Sequence, residues 1–97
     1  MKYIITALDG ADKLEKRMAV RPQHLENMAK MMDKIIFAGG LLDDNGRMKG
    51  SVLILDFSGR EELEDYLNNE PYIREEVWEK VSVETVNPVI VSGKKIS

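Results

Sequence analysis

The 97 residues contain a single histidine, His24, and two arginines precede it at Arg17 and Arg21. Spacings of four and three put all three on adjacent turns if the stretch is helical. An imidazole can accept or return a proton near neutral pH. Two guanidiniums can hold a carboxylate or a phenolate by paired hydrogen bonds. Together these residue types suit acid–base chemistry on a small anionic or phenolic compound. Plainer uses stand beside that one. A lone histidine is commonly a half-exposed surface residue, and the arginines can pair with Asp12 or Glu15 on the surface.

A carboxylate is needed to orient such an imidazole, and Glu70 is the candidate. It stands immediately before Pro71, where a carboxylate can instead cap the free N–H groups of a helix. Asp43 and Asp44 flank Asn45-Gly46 and suit turn geometry, with a site role as the alternative. Ser51 has no second histidine to serve it and no G-x-S-x-G around it, so a nucleophilic serine is not expected. Trp78 with Met28, Met31 and Met32 reads as core rather than as a ligand cage.

Composition narrows the partners. Apolar residues make up 43% and the net charge is −3 with both signs scattered. A core is affordable, and the basic stripe of a nucleic-acid binder is missing. With no cysteine and one histidine, neither a disulfide framework nor a zinc or iron site is expected. No metal or organic cofactor has a recognisable motif. No apolar run approaches the roughly 20 residues that span a bilayer. The N-terminus runs straight into a strand-like pattern, so a cytoplasmic protein is expected, without membrane or nucleic-acid partners.

The elements that must position these residues follow in order. Tyr3 to Leu8 is apolar on both faces and reads as a central strand. Asp12 can cap the turn that follows. Pro22 sits at a first helical position, and Leu25, Met28, Ala29, Met32 and Ile36 recur at helical spacing up to Gly39-Gly40. That start places His24 in the first turn, where the positive helix end disfavours a second positive charge and favours a proton acceptor. Leu41-Leu42, the Asn45-Gly46 turn and Ser51 to Phe57 make a hairpin. Within it Leu53, Leu55 and Phe57 face one way, and Val52 and Ile54 the other. Ser58 and Glu61 fit a capping box for a second helix through Leu63, Tyr66 and Leu67. Pro71 starts a short helix packed by Ile73, Val77 and Trp78. Val81, Val83 and Thr85 alternate as a strand, and Val89–Val91 extends the sheet at an edge beyond Pro88.

That order is a single α+β domain over residues 1–97, with its core at about 3–90 and a loose tail at 93–97. It is the ferredoxin-like βαββαβ arrangement, an antiparallel sheet with both helices on one face. The other face keeps apolar residues with nothing in the chain to cover them, which points to a homodimer.

Several ordered motifs resemble those of the YCII-related (YciI-like) family. Leu14-Glu15-Lys16-Arg17 and Val20-Arg21-Pro22-Gln23-His24-Leu25 are similar to its N-terminal signature. Ala38 to Gly46 is similar to its Gly-rich hairpin, and Gly50-Ser51-Val52 to the Gly-Ser start of its next strand. Glu70-Pro71-Tyr72-Ile73 corresponds to its Asp-Pro-Tyr-Val signature. The likeness runs from about Tyr3 to Ile90. It implies a subunit that pairs into a dimeric α/β barrel and an active-site histidine and aspartate, which fall on His24 and Glu70. Glu70 keeps the charge of the aspartate but adds a methylene, a displacement of roughly 1.5 Å. The Gly-Ser and Pro-Tyr motifs add Ser51 and Tyr72 to Arg17 and Arg21 as candidates for substrate binding.

The expectation is therefore a small-molecule enzyme with cofactor-independent lyase, isomerase or hydrolase chemistry. The alternatives are a non-catalytic dimer that binds or senses a small molecule, and a purely structural partner protein.

Overall fold

The computed structural model describes residues 1–96; Ser97, the last residue of the expected tail, lies outside the described residues. The chain forms β1 (Lys2–Asp9), α1 (Leu14–Ala29), a 3₁₀ turn at Met32–Lys34, β2 (Ile35–Leu42) and β3 (Met48–Asp56). Then come α2 (Arg60–Asn69), α3 (Pro71–Arg74), β4 (Trp78–Thr85), β5 (Ile90–Val91) and β6 (Lys94–Lys95). Strands β1 to β4 make one antiparallel sheet in the order β2-β3-β1-β4. This is the ferredoxin-like α+β topology.

Alternation along the central strands decides which face the helices cover. Tyr3, Ile5 and Ala7 of β1 are buried, as are Leu53 and Leu55 of β3 and the following Phe57. They form one core with Val20 and Met28 of α1, Leu63 and Tyr66 of α2, and Tyr72 of α3. Ile4, Val52 and Ile54 point to the opposite face and stay partly exposed. Phe37 sits opposite Ile54 across β2–β3 and is 53% exposed.

Helix α1 differs from the expectation at both ends. It begins at Leu14, so Pro22 lies inside it. Pro22 has no N–H to give the carbonyl of Met18, but Met18 is exposed and water can take that bond. The buried stripe is Arg17, Val20, His24 and Met28. Half of it is polar, which hides the helical period from a search for apolar residues. Asp12, in the left-handed region at φ 58°, is not the cap; Lys13 holds that position without a side-chain bond. At the other end the helix stops at Ala29, and Gly39-Gly40 lies inside strand β2. The β-branched and aromatic run Ile35-Ile36-Phe37 favours a strand; the spacing of Met32 and Ile36 to the helix was coincidental. The Met48 side chain covers Gly40, 3.4 Å from where its Cβ would stand.

The β2–β3 hairpin turns where its Asn-Gly predicts, but of the two residues only Gly46 takes a positive φ. Asp43 Oδ1 accepts from Asn45 N at 2.8 Å and Arg47 N at 3.0 Å, and Gly46 takes φ 78°. These backbone donors, Arg47 first, hold the Asp43 carboxyl below its ordinary range. On the strand that follows, Gly50 is the close-approach residue. A Cβ there would meet the Ala7 carbonyl oxygen at 2.3 Å, so only glycine lets β1 lie this close to β3 beside Ser51.

Three smaller corrections concern the second half. The α2 N-cap is Gly59, with no side-chain cap bond, and Glu62 rather than Glu61 reaches back to Ser58 N at 2.8 Å. Strand β4 begins at Trp78, ahead of the expected run from Val81, because Val77 N bonds Tyr72 O at 2.9 Å and turns the chain into the sheet. Ile90–Val91 does not extend the main sheet. It pairs with Lys94–Lys95 in a separate ribbon, so part of the expected loose tail is ordered.

Candidate active site

Three elements meet over the sheet at His24. Helix α1 presents Arg17, Arg21 and His24 along one side. The α2–α3 junction supplies Glu70 and Tyr72, and β1 and β3 supply Asp9 and Ser51 from beneath. His24, Glu70, Arg17 and Ser51 are the buried polar residues of the fold among those described. Buried polar groups must be partnered, and these are.

Glu70 is fully buried and serves three donors. Its Oε1 lies 2.6 Å from His24 Nδ1 and 3.2 Å from Tyr72 N. Its Oε2 accepts from Tyr66 O–H at 2.5 Å. Capping and histidine contact, set against each other in the sequence, are therefore both performed by one carboxylate. The extra methylene relative to aspartate does not keep it from the imidazole. Burial, and then the negative charge of Glu70, pushes the Tyr66 hydroxyl well above its ordinary value. Tyr66 thus stays a donor, which suits the carboxylate.

A carboxylate on Nδ1 selects the tautomer that carries its proton there. Nε2 is then an acceptor, and among the described residues it has no protein partner. The helix-end argument for His24 falls away, because His24 lies well inside α1. Its orientation comes from Glu70 and from stacking on Tyr72, with ring centroids 4.3 Å apart and planes 23° from parallel. Trp78 approaches edge-on at 6.4 Å.

Arg17 pairs with neither Asp12 nor Glu15. Its Nε donates to Asp9 Oδ2 at 2.7 Å, and its Nη2 donates to Asp9 Oδ1 at 3.4 Å and Ser51 Oγ at 2.6 Å. Its Cζ lies 4.5 Å over the Tyr72 ring. That ring carries the guanidinium and the imidazole together, a cation–π contact beside an aromatic stack. Burial raises the Tyr72 hydroxyl, against the opposing pull of Arg17 and Arg21. Arg21 is half-buried and has no hydrogen-bond or ion-pair partner among the described residues.

A cavity of about 440 Å³ opens at this cluster, a size that suits a small molecule. Arg17, Arg21, His24, Ser51 and Tyr72 line its polar side. Met28, Met32, Phe37, Met48 and Leu53 line its apolar side. Glu70 stands behind the imidazole, outside the lining. All six residues picked out in the sequence are thus brought together. Asp9 and Tyr66 were missed. Asp9 follows directly on the expected strand Tyr3 to Leu8, and nothing local in the sequence marks it as the partner of Arg17. Tyr66 reads as apolar packing on the second helix, although its four-residue spacing from Glu70, just past the end of α2, is a signal that the two can meet. Among the described residues no cluster of three His, Cys, Asp or Glu side chains gathers as a metal site. No helix among them is long and apolar enough to cross a membrane.

Fold and site define a small ferredoxin-like α+β protein with a buried histidine–carboxylate pair at the edge of a cavity. The chain belongs to the YCII-related domain family, which matches residues 1–87. It is 35% identical to Protein YciI of Escherichia coli over 97 residues, covering 92% of this chain and 99% of that one. An uncharacterized protein of Haemophilus influenzae is 31% identical over the same shares. Among solved structures, 5-chloro-2-hydroxyhydroquinone dehydrochlorinase from Burkholderia phenoliruptrix, in complex with 2,5-dihydroxybenzoquinone, superposes with a TM-score of 0.84. That likeness covers 90% of this chain and 94% of the other at 24% identity, and it concerns the fold.

Proposed function

We propose that this protein is an enzyme performing cofactor-independent acid–base chemistry on a small anionic or phenolic compound, with His24 as the proton carrier. The observation behind this reading is the Glu70–His24 pair, with Nδ1 bound at 2.6 Å and the imidazole lining the cavity. Nε2 takes a proton from the bound compound, and the imidazolium so formed is stabilised by Glu70. The same nitrogen then returns the proton, to another atom of the compound in an isomerisation or to the leaving group in an elimination. Tyr66 and Tyr72 hold Glu70 and the ring in place, and Arg21 offers a charge to the substrate. A solved neighbour named as a dehydrochlorinase, with a dihydroxybenzoquinone bound, supports a ring compound of this kind.

The same reading includes a homodimer formed through the outer face of the sheet. Ile4, Phe37, Val52 and Ile54 lie there, more apolar surface than a solvated sheet face requires.

The test is a proton NMR titration of the one histidine ring in the wild type and in Glu70→Gln, followed by a turnover screen of hydroxylated and halogenated ring compounds. A titration midpoint that moves on Glu70→Gln, together with turnover lost in His24→Ala, is the expected result. A midpoint indifferent to Glu70 would remove the acid–base pair, and turnover that survives His24→Ala would remove the proton carrier.

A further inference from the structure

The charges around the cavity are not evenly paired. Arg17 faces Asp9, whose side chain is 6% exposed against 3% for Arg17 itself. His24 faces Glu70. Arg21 lines the same cavity without a hydrogen-bond or ion-pair partner among the described residues. Arg21 is thus the cationic side chain of the lining that no anion touches among the described residues, and it is left to meet a ligand. Two arginines thus reach the cavity, but Asp9 has already answered one of them.

The Asp9–Arg17 pair also fixes a hydroxyl. Ser51 Oγ accepts from Arg17 Nη2 at 2.6 Å. Its own O–H finds no acceptor among the described residues, although Ser51 is only 4% exposed and lines the cavity. An acceptor oxygen on a bound molecule would satisfy it. The remaining wall is apolar and sulfur-rich, at Met28, Met32, Met48 and Phe37.

We propose that Asp9 is a specificity-determining residue: by neutralising Arg17 it restricts the cavity to compounds with one negative charge, held at Arg21, and with an acceptor oxygen against Ser51. The body of the ligand is apolar. A second carboxylate would have to be buried without a counter-charge, which is costly. Asp9 touches no ligand in this scheme. It acts through Arg17, as a positioning and charge-setting residue. The inference rests on the cavity's being the substrate site of the preceding section, and names the charge class that site accepts.

The test uses three ring probes of one family, benzamide, benzoate and phthalate, titrated by calorimetry at pH 7.5 into the wild type, Arg21→Gln, Asp9→Asn and the double variant Asp9→Asn/Arg17→Met. In the wild type, benzoate should bind roughly tenfold tighter than benzamide or phthalate, the value of one charge-assisted contact. Arg21→Gln should erase the advantage over benzamide. Asp9→Asn frees the Arg17 charge and should move the preference to phthalate, and the double variant should return it to benzoate. Phthalate binding to the wild type as tightly as benzoate overturns the inference. So does an order unchanged in a folded Asp9→Asn, or the absence of binding by any of the three. Should Asp9→Asn not fold, the wild-type order, Arg21→Gln and the double variant still decide it. A failed charge order beside a histidine titration that does respond to Glu70 removes this inference alone. A titration that ignores Glu70 beside the expected charge order removes the acid–base reading and leaves a monoanion-binding site.

Discussion

Nδ1 of His24 lies 2.6 Å from Oε1 of Glu70, although the two residues are separated by 46 positions in the chain. The contact is buried, and the same carboxylate ties down Tyr66 and Tyr72. A group that meets three donors cannot be moved without disturbing three elements. The proposed acid–base pair is therefore also a structural joint between α1 and the α2–α3 junction.

Tyr66 makes the alkaline limb of stability diagnostic. Its hydroxyl is raised well above the ordinary 10.0 by burial and by Glu70. A raised folded value means that the unfolded chain loses the proton first. The stabilising effect is complete below pH 10 and falls as the pH rises above it. The expected slope is about 1.4 kcal/mol per pH unit for such a tyrosine. Denaturant melts between pH 8 and 11 should show this decline, and Tyr66→Phe should flatten it. Tyrosinate absorbance should rise with unfolding rather than before it, and a free early titration of all three tyrosines would contradict the burial.

Arg17→Met leaves the Asp9 carboxylate buried and unpaired. Breaking one side of such a pair costs about 3–5 kcal/mol. Adding Asp9→Asn should recover a large part of that loss, because the stranded charge goes with it. A double-mutant cycle by chemical denaturation reads the coupling. Arg17→Lys should rescue little, since one ammonium cannot bond Asp9 along two N–H groups, reach Ser51 and lie over the Tyr72 ring at once. Additive single-variant losses would mean that the pair is not coupled.

Ile54→Asp probes the proposed homodimer without touching the cavity. Ile54 lies on the face of β3 opposite the buried Leu53 and Leu55. Sedimentation velocity should show a dimer for the wild type and a monomer for the variant, with the monomer still folded by circular dichroism. A wild type that sediments as a monomer at all concentrations would remove the dimer, and with it the explanation for an apolar outer face.

Much of this molecule is legible in its sequence. Local patterns decide strands β1, β3 and β4, the Asn45-Gly46 turn, the Pro71 start of α3 and the ferredoxin-like order. Each signal is contained within a few residues, as periodicity or as turn chemistry. The start of α1 was hidden, because its buried face carries Arg17 and His24 in place of apolar residues, and its end was masked by the chance helical spacing of Met32 and Ile36. Those side chains are buried only because Asp9 and Glu70 come to meet them, and no local rule reports a partner that arrives from another element. The bulk of β2 was hidden in turn by Gly39-Gly40, which act as strand residues under the Met48 and Phe37 side chains.

The site divides in the same way. Residue type and spacing alone mark His24, Arg17, Arg21 and Glu70 as groups able to carry chemistry, and the family signatures add Ser51 and Tyr72. Only the tertiary structure decides what each is occupied with. It commits Arg17 to Asp9 and Ser51, leaves Arg21 without a counter-ion among the described residues, and makes Glu70 the partner of a histidine as well as a helix cap. The physical reason is that hydrogen bonds and ion pairs act over about 3 Å. Which groups come within that distance is settled by how the helices lie on the sheet, not by their order along the chain.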